Sequence, residues 1–303
     1  MSTEPFRGRL ERLAVSPGAL TADLVVGRWI VRFEGLADAD RDELGHRWGP
    51  FLREPAGTEP ALRIRVLDAG ADAWLGPPRV RGERYRLELE GDRPAGLIVS
   101  HNFALDRNVT GGAPWRAGIS APTREPRGRI VENVARLALA ELALAAGGFA
   151  LHAAGVLHAA KAWLYCGPSR SGKSTAVALS VPARSLGDDF AVLAPRAGEW
   201  SAAAVPFDGA ERVGRAAPRG EFPVAAAWRL YRGDGTRVER PEPRIATASL
   251  MACAAFPWLY PDRAADLLDR IDRFAAETGF AHLHFSSGSD LYRELLALTP
   301  SGR

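Results

Sequence analysis

The sequence predicts an α/β fold with a β-rich N-terminal region, and three observations lead there. Short runs in which apolar residues alternate with charged ones fill residues 1–115. From residue 128 to 303, stretches with helical spacing of apolar residues take turns with compact apolar runs. Between one such run and the helical stretch that follows it lies a glycine-rich loop, Gly167-Pro168-Ser169-Arg170-Ser171-Gly172-Lys173-Ser174-Thr175. Alternation with period two marks half-buried strands, and strand–loop–helix order marks an α/β unit.

In the N-terminal region, Trp29–Phe33 reads as a strand. Leu62, Ile64 and Val66 alternate with Arg63 and Arg65, and Tyr85, Leu87 and Leu89 with Arg86, Glu88 and Glu90. Gly96–Ser100 continues the pattern, and the Gly/Pro/Arg-rich stretch from Asn108 to Gly128 reads as a connection. A helix is expected from Ile130 to Ala146, stopped by Gly147-Gly148. Strands are then expected at Phe149–Leu157 and Ala162–Cys166, a helix from Thr175 closed by Pro182, and a strand through Asp188–Leu193. Asp262, after Pro261, can cap a helix running through Leu267, Ile271 and Phe274, and a strand at Ala281–Phe285 and a helix at Leu291–Leu298 follow.

The 303 residues are 47% hydrophobic and 25% charged, a globular composition with ample core. The net charge of +3 is spread evenly, with 21 Arg against 20 Asp and Glu over residues 1–150. That evenness argues against a nucleic-acid-binding face, which needs clustered charge. Two cysteines, Cys166 and Cys253, exclude a disulfide framework. The N-terminus lacks an apolar signal-peptide core and no apolar run approaches a membrane span, so a cytoplasmic protein without membrane association is expected. The sequence leaves a homo-oligomeric state open.

The chemistry concentrates in the glycine-rich loop. It holds one of only two lysines, Lys161 and Lys173, in a chain that otherwise carries positive charge on arginine. The run fits G-x-x-x-x-G-K-[ST], the phosphate-binding loop. The amides of Gly167, Ser169, Arg170, Ser171, Gly172 and Thr175 would cradle phosphate oxygens, and Lys173 would reach the terminal phosphates as a compact point charge. Ser174 can ligate a magnesium ion that keeps most of its waters. ATP and Mg²⁺ are the expected ligands.

Asp188-Asp189 follows Lys173 by 15 and 16 residues amid apolar neighbours. Adjacent carboxylates repel unless a cation or proton separates them, which a metal–triphosphate site would supply. One could serve magnesium and the other accept the proton of an attacking hydroxyl; the plainer reading is a solvated Gly-Asp-Asp turn. His152, in the apolar run Leu151–Val156, reads either as a hydrogen-bonded core residue or as a member of the site. Three lesser candidates are a metal pair at His282 and His284, a calcium-loop-like Asp38-Ala39-Asp40-Arg41-Asp42 that reads better as a turn or helix start, and anion-clamping Arg212, Arg215 and Arg219.

Taken in order, Leu151–Val156, the loop and Leu186-Gly187-Asp188-Asp189 resemble the catalytic domain of bacterial HPr kinase/phosphorylase and its relatives. The resemblance spans about residues 128–250. It implies a phosphoenolpyruvate-carboxykinase-like nucleotide fold, a catalytic aspartate at Asp188 or Asp189, with the base placed at Asp188 and the metal-linked carboxylate at Asp189, and an assisting histidine at His152. The Gly/Arg-rich signature that follows the paired aspartates in enzymes acting on HPr has no counterpart here. The resemblance is therefore to divergent HPr-kinase-related proteins, and it implies phosphoryl transfer to a hydroxyl of a peptide, protein or small molecule. A nucleotide-binding regulator without transfer activity, or an enzyme spending ATP on another reaction, shares the loop and is the alternative.

Overall fold

The computed structural model describes residues 6–15, 19–70, 74–75, 87–90, 96–107, 113–120, 125–207 and 218–298. The chain forms two compact units, residues 1–25 with 29–138, and residues 26–28 with 139–303. The protein is mixed α/β, with two large sheets and, among the described residues, seven α-helices.

The first unit contains helices α1 (Phe6–Glu11) and α2 (Asp38–Trp48) and strands β1 (Leu20–Val26), β2 (Trp29–Leu36), β3 (Leu52–Arg53), β4 (Leu62–Gly70), β5 (Glu88–Glu90), β6 (Leu97–Val99), β7 (Phe103–Asp106) and β8 (Trp115–Ser120). The strands form one sheet in the order β3-β1-β2-β4-β8-β7-β6-β5, parallel at β2–β4 and β4–β8. The expected connection over 108–128 thus holds a central strand, β8. It is buried on both faces, so it shows no alternation, and its Arg116 and Gly118 read as loop. Asp38-Ala39-Asp40 opens α2, as a helix start. Tyr85 lies outside the described residues.

Charge inside this unit is handled by arginine. Asp40, Asp106 and Glu132 are each 1% exposed. Arg127 pairs with Asp40, Arg7 and Arg116 with Asp106, and Arg47, Arg129 and Arg136 with Glu132. Buried carboxylates are tolerated only with such partners, and the guanidinium fork supplies several donors at once.

Helix α3 (Arg127–Ala145) leads into the second unit, and the described chain ends with α7 (Leu291–Leu298). Between them come β9 (Phe149–Leu151), β10 (Ala153–His158), β11 (Lys161–Cys166), α4 (Lys173–Leu179), β12 (Arg184–Gly187), β13 (Ala191–Arg196), β14 (Glu199–Ala203), β15 (Glu221–Arg232), β16 (Arg237–Glu239), α5 (Pro243–Met251), α6 (Ala264–Thr278) and β17 (Ala281–Phe285). The sheet runs β12-β10-β11-β15-β14-β13-β9, with β17 beside β15 and β16 beside β17. Strands β11, β15 and β17 are parallel. Trp163, Tyr165, Trp228, Leu230 and Leu283 point to one face and pack against Ala176 and Val177 of α4 and Leu291 and Leu295 of α7.

Three expectations in this unit need correction. The run Phe149–Leu157 is two strands, broken at His152: β9 pairs with β13, while β10 pairs with β11 and β12. The expected strand through Asp188–Leu193 is likewise divided, since β12 ends at Gly187 and β13 begins at Ala191. Asp262 sits in a short 3₁₀ turn, Pro261–Arg263, and the residue capping α6 is Arg263, without a side-chain cap bond. Both strand breaks fall where the chain crosses from one end of the strand order to the other, β9 to β10 and β12 to β13, and each leaves polar side chains at a strand end.

Candidate functional site

The glycine-rich loop connects β11 to α4, in the expected strand–loop–helix order. Strand β11 is buried between β10 and β15 over Ala162–Cys166, which fixes where the loop begins. A Cβ on Gly167 would lie 2.3 Å from Ser171 Oγ, so any larger residue there would displace Ser171 within the loop. Gly172 precedes α4 with φ +98°, a conformation that favours glycine. Arg170 is also left-handed, at φ +68°. Helix α4 starts at Lys173, two residues before the expected Thr175.

Lys173 is 5% exposed, and its ammonium does not stand free. Its Nζ donates to Gly167 O at 3.0 Å and Pro168 O at 3.1 Å, and lies 3.2 Å from Asp189 Oδ1. The ammonium is thus held inside the curl of its own loop, with its aliphatic stem covered.

The strand break at His152 puts this residue at the loop's entrance. Its N–H donates to Cys253 O at 2.7 Å and its carbonyl accepts from Gly167 N at 3.2 Å. Its Nε2 meets Asp189 Oδ1. His152 is therefore not enclosed in the core; its side chain is 35% exposed and faces the carboxylate.

The aspartates follow a crowded turn. Gly187 has φ +145°, and a Cβ there would lie 2.3 Å from Val205 Cγ2. Asp188 N donates to Phe207 O at 3.0 Å, and Asp189 takes φ +70°, which short polar residues tolerate. The two side chains then diverge. Asp188 Oδ2 accepts from Ser174 Oγ at 2.6 Å, while Asp189 Oδ1 sits between His152 and Lys173. The other Asp188 oxygen, Oδ1, is buried without a hydrogen-bond partner among the described residues, as is Ser171 Oγ in the loop.

Loop, lysine, serine, both aspartates and histidine therefore meet in one place. Among the described residues no three His, Cys, Asp or Glu side chains group to hold a metal by themselves. Magnesium does not need that, since it takes one or two protein oxygens beside waters and substrate phosphates. The orphaned Asp188 oxygen next to the Ser174 hydroxyl fits such an ion.

Under the site lie Cys166 and Cys253, both buried. Burial raises the pKa of each thiol. Arg229 Nη1 donates to Cys253 Sγ and to Ser249 O, each at 3.0 Å, and so ties the end of α5 to the strand beside the loop. Sequence reasoning missed α5 and the segment after it. Pro243 at the first position of α5 was the available signal.

The lesser candidates go elsewhere. His282 and His284 do share a face of β17, but His282 Nε2 meets Ser249 Oγ at 3.1 Å and His284 stacks on Tyr231. Burial lowers the pKa of His282. Arg219 is exposed, and Arg212 and Arg215 lie outside the described residues. No described helix is long and apolar enough to cross a membrane. No protein-family model matches the chain, and the search of characterised proteins gives no match either.

Proposed function

We propose that the protein is an ATP-dependent kinase that transfers the terminal phosphoryl group to a hydroxyl of a peptide, protein or small molecule, in the manner of HPr-kinase-related enzymes. A phosphoenolpyruvate-carboxykinase-like phosphate-loop fold and a cytoplasmic location belong to the same reading. One observation carries it: the paired aspartates part, one to the loop serine and the other to a histidine and the loop lysine.

That division distributes the work. Gly167 N and Ser171 N already donate to His152 O and Pro168 O, so the remaining loop amides and Lys173 hold the phosphates of ATP. Ser174 and Asp188 hold Mg²⁺, which would neutralise charge on the phosphates. Asp189 is the base, so the partnership of Ser174 with Asp188 exchanges the two roles assigned from resemblance. The acceptor hydroxyl gives its proton to the Asp189 carboxylate as its oxygen bonds to the γ-phosphorus, the bond to the bridging oxygen breaks, and ADP leaves. His152 orients Asp189 through their contact and shares the proton acquired.

The test is incubation of the purified protein with γ-labelled ATP, magnesium and a cell extract. The reading expects acid-stable label on a protein, peptide or small molecule, base-labile where the acceptor is a serine of a peptide or protein, and lost in Asp189→Asn. Normal nucleotide binding with label on nothing but inorganic phosphate or ATP would favour a nucleotide-controlled regulator instead.

A further inference from the structure

Beside the carboxylates the chain exposes an aromatic surface that the phosphate chemistry does not use. The segment after α5 is laced to the strand end that carries His152: His152 N donates to Cys253 O at 2.7 Å, Ala254 bridges to Leu151, and Ala255 N donates to Ala150 O at 2.9 Å. Phe256 follows in a left-handed conformation, φ +57°, which bulky residues avoid. Its ring lies 6.5 Å from that of Phe190, the residue directly after Asp189. The Trp258 ring stands 6.1 Å from Phe256 at 70°, forming an open corner. Trp258 is 54% exposed, whereas each of the other seven tryptophans of the chain is at most 8% exposed. A chain that buries every other indole leaves this one in solvent, next to a backbone held in a costly conformation.

The position says what the corner touches. A catalytic base must meet the acceptor hydroxyl. Phe190, buried, follows the base in sequence and Phe256 packs on it, which brings the corner to the turn that carries the base. We propose that Phe256 and Trp258 determine acceptor specificity, selecting a peptide whose phosphorylated serine or threonine has an aromatic or large apolar side chain close by in sequence. The inference rests on the kinase reading and narrows its acceptor from any hydroxyl to a peptide of this kind. Two rings at a wide angle give an entering side chain both a face and an edge, the arrangement aromatic pairs prefer.

The experiment assays the full chain with Mg-ATP on serine peptides in which each flanking residue is varied in turn. At one flanking position, Phe, Tyr, Trp or Leu should raise kcat/KM on the order of tenfold over Ala, as one well-packed anchor does. Trp258→Ala should remove that preference by raising the peptide KM while KM for ATP stays within about twofold, and Trp258→Phe should restore most of it. Transfer without flanking preference, a preference unchanged in Trp258→Ala, or transfer to small hydroxyl compounds alone would overturn the inference and leave the kinase reading standing. A raised KM for ATP in Trp258→Ala would also overturn it and assign the corner to the nucleobase. Failure of the wild type to transfer label to any acceptor would overturn the kinase reading, and this inference with it.

Discussion

Replacing Asp189 by asparagine is an unusually clean perturbation. The residue sits at φ +70°, which asparagine adopts as readily as aspartate, so the turn after Gly187 keeps its shape. The amide can still accept from Lys173 or His152 through its oxygen, but it carries no charge and cannot take a proton. The Asp189 side chain is 51% exposed while Lys173 is 5% exposed, so the pairing is only partly screened; the ammonium keeps its bonds to Gly167 O and Pro168 O, and the loss should cost on the order of 1 kcal/mol of stability. Removing a positioned base, by contrast, typically costs about 10²–10⁴-fold in rate. The expected outcome is a protein that melts within a few degrees of wild type and binds Mg-ATP, yet transfers phosphate at least a hundredfold more slowly in single-turnover assays with labelled ATP. Transfer within threefold of wild type by a folded Asp189→Asn protein would refute the assignment of Asp189 as base.

Further expectations concern the neighbouring groups. Ser174→Ala removes the hydroxyl that donates to Asp188 at 2.6 Å, and should raise the magnesium concentration needed for half-maximal ATP binding severalfold; magnesium titration checks this. Gly187→Ala should destabilise the protein by about 2 kcal/mol or more, read in a thermal or urea melt, since its Cβ would lie 2.3 Å from Val205 at φ +145°. Tyr165→Phe removes a buried bond of 2.7 Å to Ser180 Oγ, while Ser180 keeps its own bond to Ala176 O. It should cost about 1 kcal/mol and leave transfer untouched.

The loop was legible because everything that defines it is local: spacing, glycine positions and an apolar run before it. Its neighbours were legible as residues but not as geometry. Phe149–Leu157 is apolar throughout, and nothing in that run shows that β9 and β10 take different partners with His152 at the join. The same holds for Asp188-Asp189, where the contact of Val205 with Gly187 fixes the turn across the fold. Strand β15 went unseen because Pro223 and the alanines Ala225–Ala227 show neither alternation nor β-branched enrichment, although β11, β14 and β17 all pair with it. Helix α6 was legible from Leu267, Ile271 and Phe274 at helical spacing, all of them buried. The aromatic corner had no sequence signature, since Phe256 and Trp258 differ from core aromatics only in exposure and backbone conformation.

Whether this loop holds a nucleoside triphosphate with magnesium is decided by calorimetric titration of Mg-ATP into the wild type and Lys173→Met. Methionine keeps the aliphatic volume of a side chain only 5% exposed and removes the ammonium that meets Gly167 O, Pro168 O and Asp189. A thermal melt beside the titration shows that the variant is folded. The wild type should show saturable, magnesium-dependent binding, and the variant a loss of at least about tenfold in affinity, the loss of one charged contact. No binding by the wild type, or equal affinity in a folded Lys173→Met protein, would contradict nucleotide binding by this loop.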